Sequence, residues 1–173
     1  VGLKHMGIAQ PLSTLRRQSV KKDVPKILQV CQQQRIDHIV IGAANLEKAT
    51  KKVEGLLKTT FSTSGTHASM ATHNRLLKLQ SSIYMEIIAT DPSATFLKSR
   101  TREKRWFSLD SGKTKRRLSR APQPLCWVVA VNNIEQTASN CGYEPGGVTE
   151  MSRGDFRWKL TVPDSGELSE NGV

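Results

Sequence analysis

The chain has 173 residues, enough for one ordinary domain or two small modules sharing a core. At 37% hydrophobic it holds no run near the roughly 18 apolar residues of a membrane helix, so an integral membrane segment is excluded. Three widely spaced cysteines, Cys31, Cys126 and Cys141, lack any CxxC pair and indicate neither a disulfide framework nor a structural zinc site, which fits a reducing, cytoplasmic setting.

The net charge of +11 is concentrated between Lys98 and Arg120, where ten basic residues face Glu103 and Asp110. A local run of this kind reads as a solvated segment; nucleic acid or an anionic membrane remains only the partner of a basic-adaptor reading. Residues 1–34 contain a single acid, Asp23, among Arg16, Arg17, Lys21, Lys22 and Lys26. They read as a basic helical surface extension broken near Pro25, or as a mitochondrial or plastid presequence starting at Met6.

From Ile36 the run IDHIVIG suits a buried strand. AANLEKATKKVEGLLK follows as a helix capped by Asn45, with Leu46, Ala49, Val53, Leu56 and Leu57 on one face. The Gly65 region, NRLLKLQ and IYMEIIA read as three further strands, closed by Asp91 and Pro92. Module one, 36–92, is therefore βαβββ. A basic linker covers 93–122, and module two, 123–173, starts again with LCWVVAVNNIEQTASNCG. This is a strand, then a helix capped by Asn133 with Ile134, Ala138 and Cys141 on one face and Gly142 at its end.

A gapless shift of 88 residues lays HIVIGAANLE, from His38, on CWVVAVNNIE, from Cys126. This is an internal repeat that puts Cys126 in the place of His38; a one-residue slip would put Trp127 there. GGVTEMS and FRWKLTVP supply two more strands, and the fourth has no counterpart. The expectation is a curled mixed sheet of the α+β class, with module two incomplete, the chain a fragment of a longer one, and an open strand edge offered to another chain, as in a homodimer.

The ordered blocks Asp37-His38, GTHASMATHN at 65–74, YMEIIATDP at 84–92, RWFSLD at 105–110, WVVAVNNIE at 127–135 and MSRGDFRWKLTVP at 151–163 resemble the vicinal oxygen chelate superfamily. The likeness is to its glyoxalase-like domain branch, over Ile36 to about Pro163. It implies paired βαβββ units curling a sheet around a cup, often with a divalent metal that activates two neighbouring substrate oxygens in lyase, isomerase or dioxygenase chemistry. Carried over by position, His38 on the first strand and Glu86 on the fourth are the implied catalytic and metal-binding residues, with Zn, Ni, Mn or Fe as the metal. Without a metal, Glu86 pairs with His38 or with Arg75. Only two of the four implied ligand positions are favourable, so a non-catalytic module binding a small molecule is the alternative function.

His67 and His73, six residues apart, share a face in extended chain, and His73 shares it with Arg75; a tight turn through Ala68, Ser69 and Ala71 would break that alternation. His67, His73, Asn74 and Arg75 are the candidate contacts for a small oxygenated ligand. SGKT at 111–114 is a chance imitation of a phosphate loop, since Phe107 stands where the upstream glycine belongs. RRQS and RRLS, ending at Ser19 and Ser119, match basophilic kinase sites but recur by chance in Arg-rich chain. No Gly-x-Ser-x-Gly or HExxH motif supports a hydrolase.

Overall fold

The computed structural model describes residues 34–97 and 103–168, so the predicted basic extension and Cys31 lie outside the described residues. Among the described residues seven strands and three α-helices form a mixed α+β fold. Strand β1 (Arg35–Gly42) leads into α1 (Leu46–Leu57), then β2 (Gly65–His67), β3 (Thr72–Lys78) and β4 (Tyr84–Thr90). After the linker helix α2 (Gly112–Leu118) come β5 (Gln123–Ala130), α3 (Ile134–Asn140), β6 (Gly147–Arg153) and β7 (Phe156–Val162). Five strands lie in the order β2-β3-β4-β1-β5, with β1 parallel to β4 and antiparallel to β5. Strands β6 and β7 pair with each other as a separate ribbon. In module one, β4 joins β1 to β3. Among the described residues module two has no such strand, so the ribbon is not hydrogen-bonded into the main sheet.

The repeat is realised in the backbone. β1 begins at 35 and β5 at 123, an offset of 88, and the same offset takes the Asn45 cap to the Asn133 cap. Both asparagines accept a bond from the backbone N–H three residues on, at 2.9 Å in each helix. Where β1 meets β5, Ile39 pairs with Trp127, its own counterpart at that offset, while His38 pairs with Val128 and Val40 with Cys126. A local pseudo-two-fold axis therefore passes through the Ile39/Trp127 pair. It confirms Cys126, rather than Trp127, as the mate of His38.

The register slips at two places related by the same axis, at Asp37 and at Leu125. Such bulges turn a side chain away from strict alternation. Leu125 packs with Cys126 and Val128 on the core that contains Val40 and Leu118. Gly42 makes room for it: a Cβ there would lie 2.6 Å from Leu125 Cδ1.

Two cores flank the sheet. Helix α1 covers one face, where Leu46 and Ala49 pack with Phe61, Ile87 and Ala89. On the other face Val40, Met70 and Ile88 pack with Trp106, Leu109 and Leu118 of the linker and Met151 and Val162 of the ribbon. The apolar helix face expected from sequence ends early: Leu56 and Leu57 are 72% and 48% exposed, and Thr50 is buried in their stead, its hydroxyl donating to Leu46 O. The last turn of α1 has run past the edge of its core. Helix α3 stops at Asn140 with Cys141 extended, so Gly142 does not supply the left-handed residue expected of it. The linker, read from sequence as a solvated basic run, contains α2 and buries Trp106, Leu109, Thr114 and Leu118. Among the described residues no helix is long and apolar enough to cross a membrane.

Ile87→Ala should cost about 3 kcal/mol, because the emptied space is closed by sheet and helix and cannot collapse freely. Leu56→Ala should stay within about 0.5 kcal/mol. Urea unfolding of the two variants checks both, and a large loss from Leu56→Ala would restore the longer apolar face.

Candidate functional site

The face opposite α1 carries a line of polar side chains across four neighbouring strands. Alternation along β4 puts Glu86 beside Ile88 on this face, with Ile87 and Ala89 on the other. Parallel pairing sets β4 next to β1, where His38 and Val40 point the same way. Glu86 Oε2 lies 3.5 Å from His38 Nε2, and Glu86 Oε1 accepts a bond from Asn74 Nδ2 of β3. Asn74 Nδ2 is also 3.4 Å from His67 Nε2 of β2, and His67 Nδ1 is 3.1 Å from Thr72 Oγ1. At the opposite end His38 Nδ1 meets Asp37 Oδ2 at 2.9 Å. Neighbouring residues of a regular strand point to opposite faces; the bulge at Asp37 permits this contact. Tyr84 stacks on the His38 ring, centroids 4.4 Å apart at 14°.

Glu86 is 5% exposed and His38 9%. Burial alone pushes the Glu86 carboxyl up, but the facing His38, the bond from Asn74 and the charge of His67 outweigh it and hold the group below its ordinary value. For His38, burial pulls downward and is outweighed by the facing Glu86 and then by Asp37, so its pKa is raised. Between pH 4.5 and 6.5 the pair is therefore ionised, the His38 imidazolium facing the Glu86 carboxylate. Cys126, the two-fold mate of His38, is pushed up to about 12, by burial first and then by the charge of Glu86. It is a thiol at neutral pH.

The site divides the residues expected from sequence. His38, Glu86, Asn74 and His67 come together. His73 and Arg75 do not join them: the 3-10 turn Ala68–Met70, closed by Ala71 with φ 46°, breaks the alternation between His67 and His73. His73 and Arg75 alternate with Asn74 on the helix side, where Arg75 Nη2 binds both Glu47 oxygens at 2.8 and 3.0 Å and Nη1 donates to Ser62 O. Sequence reasoning did not assign Trp106, whose ring meets His67 edge-on, centroids 4.9 Å apart. Its segment is clamped by Arg105, which bonds Asp110 through backbone N and Nη1, each at 2.8 Å, and by Ser108 N donating to Gly166 O. Phe107 and Ser108 both take left-handed conformations, φ 58° and 54°, an uncommon arrangement that turns Trp106 and Leu109 inward together. No local pattern in RWFSLD announces this.

The donor set falls short of the metal that the sequence resemblance implies. His38 and Glu86 converge, but among the described residues no group of three His, Cys, Asp or Glu is placed to hold an ion. Glu86 already spends one oxygen on Asn74, and Cys126 holds its proton firmly. The described residues by themselves do not fit such a centre.

Paired βαβ-type modules joined through their first strands, with a polar first-strand histidine facing a fourth-strand glutamate, define a protein of the vicinal oxygen chelate kind. The chain belongs to the glyoxalase-like domain family, whose pattern it matches over residues 36–173. A crystal structure of a hypothetical protein from Bacillus halodurans C-125 is similar at 14% identity and a TM-score of 0.41, covering 69% of this chain and 72% of that one. No curated protein matches the chain.

The ion pair sets a pH window. Raised in the folded state, His38 stabilises fully below its ordinary value of 6.5, and that contribution is lost as pH rises through the folded value. Glu86, lowered, stabilises fully above 4.5, and its contribution is lost as pH falls through the folded value. Urea unfolding of His38→Gln against the parent should therefore show its largest deficit, about 3 kcal/mol, between pH 4.5 and 6.5, shrinking at higher pH. A deficit that stays constant up to pH 9 would show that His38 carries no charge in the fold.

Proposed function

We propose that the chain binds a small oxygen-bearing molecule on the polar face of its main sheet, with His38 and Glu86 as the principal contacts. One observation carries this reading: His38 Nε2 and Glu86 Oε2, both buried and ionised, face each other at 3.5 Å, beyond the usual N–H···O range of about 2.7–3.2 Å. The contact is loose enough for a ligand carbonyl or hydroxyl oxygen to accept the Nε2 proton beside the Glu86 carboxylate. Fixed charges in a desolvated setting bind such groups more strongly than water does.

Orientation is built in. Asp37 holds the other ring nitrogen of His38, Tyr84 holds its plane, and Asn74 fixes the Glu86 carboxylate. The same arrangement favours binding over turnover. A carboxylate held below its ordinary pKa is a reluctant proton acceptor, and a histidine bonded on Nδ1 to a carboxylate keeps its charge. Proton transfer next to a carbonyl, with Glu86 receiving and His38 stabilising the oxyanion, is the second reading. It requires the ligand to loosen the pair first.

Hydroxyacetone, a neutral molecule with two neighbouring oxygens, is a suitable probe. Titration followed by 15N NMR should give saturable shifts at amides of β1 and β4, with the dissociation constant raised about ten-fold in both His38→Gln and Glu86→Gln. Absence of saturable shifts in the parent protein overturns the reading. Metal analysis of the same preparations distinguishes the ligand role: a stoichiometric ion lost from both variants would make His38 and Glu86 metal ligands rather than hydrogen-bonding partners.

A further inference from the structure

Buried side-chain polar atoms are almost always hydrogen-bonded, so the exceptions are informative. Among the described residues four such atoms have no partner: Asn74 Oδ1, Trp106 Nε1, Arg75 Nε and Arg105 Nε. The two arginines use their other nitrogens on Glu47 and Asp110, and the orphaned Nε belongs to a guanidinium already satisfied as a charge. Asn74 and Trp106 are different. Each is almost wholly buried, at 3% and 5% exposure, and both adjoin the ring of His67, Asn74 through Nδ2 at 3.4 Å and Trp106 edge-on at 4.9 Å between centroids.

The orientation of the Asn74 amide follows from its neighbours. Turned over, it would set Oδ1 against the Glu86 carboxylate; as placed, Nδ2 donates to Glu86 Oε1 and lies beside His67 Nε2. Nδ2 is thus committed to Glu86, and Oδ1 is left as an acceptor without a donor. Trp106 offers the reverse, an indole N–H, which can only donate.

We propose that Asn74 and Trp106 form a hydroxyl-selective subsite, the Trp106 N–H donating to a ligand hydroxyl whose own hydrogen is donated to Asn74 Oδ1. This deepens the binding function proposed above and rests on it. An alcohol group satisfies both orphans at once. A ketone or aldehyde oxygen satisfies Trp106 and leaves Asn74 Oδ1 bare, and a carboxylate sets two acceptors against each other. The ligand class is therefore a small hydroxycarbonyl or polyol rather than a dicarbonyl or a simple acid. Trp106 becomes a ligand-contact residue delivered from the linker between the two modules.

The test compares hydroxyacetone with butan-2-one, which replaces the hydroxyl by a methyl of similar size, and follows the indole N–H resonances of the whole chain. Hydroxyacetone should bind about ten-fold more tightly, and the Trp106 indole signal should move along the same binding curve. Trp106→Phe, which keeps a ring and removes the donor, should abolish the preference for hydroxyacetone over butan-2-one. If hydroxyacetone saturates β1 and β4 amides with the Trp106 signal unmoved, or if Trp106→Phe keeps the preference, the subsite falls and the binding function stands. If neither probe binds, both fall. Should Trp106→Phe fail to fold, the parent's indole shift decides alone.

Discussion

Strand β1 fills both of its edges with partners from different modules, parallel to β4 and antiparallel to β5, and the rest of the molecule hangs on that double pairing. Hydrogen bonds to β4 carry His38 to Glu86. Those to β5 carry the second module into the same sheet and bring Cys126 onto the same face. A register error of one residue in either ladder would turn His38 toward α1 and put Ile39 in its place. The apolar alternation of IDHIVIG guards against such a slip, because Val40 and Ile41 are wanted on opposite cores.

The polar line on this face is costly in isolation. A carboxylate removed from water loses several kcal/mol of solvation, which only close, well-aligned partners offset. Here each partner is held by another: Asn74 by its place on β3, His38 by Asp37 and Tyr84, His67 by Thr72 and Trp106. The holding runs perpendicular to the strands, so the charged pair is stiffened by sheet geometry rather than by a loop. A charge held in this way keeps a fixed position and orientation on the sheet.

Much of this was legible in the sequence because it rests on short-range rules. The asparagine caps, the strand–helix starts and the offset between modules depend on local chemistry repeated at a fixed spacing, and the Glu86–His38 meeting follows once the fold is recognised. Other features depend on contacts far apart in the chain. The early end of the α1 apolar face is set by how far the sheet core extends under it, which no heptad count reveals. His73 and Arg75 were separated from His67 by a three-residue turn whose effect on alternation cannot be weighed without a backbone. Trp106 lay inside a stretch read as basic and solvated, and it is buried by Met70, Leu109 and the ribbon, residues drawn from three different parts of the chain.

The axis through Ile39 and Trp127 relates β1 to β5, yet the side chains it relates are not alike. One half brings an imidazolium and carboxylates; the other brings a protonated thiol, Leu125 and Val128. A two-fold frame would by itself make the two halves of the face alike. Divergence of the lining removes that equivalence, with charge gathered on one side of the axis and hydrocarbon on the other. The face is thus polarised along the sheet.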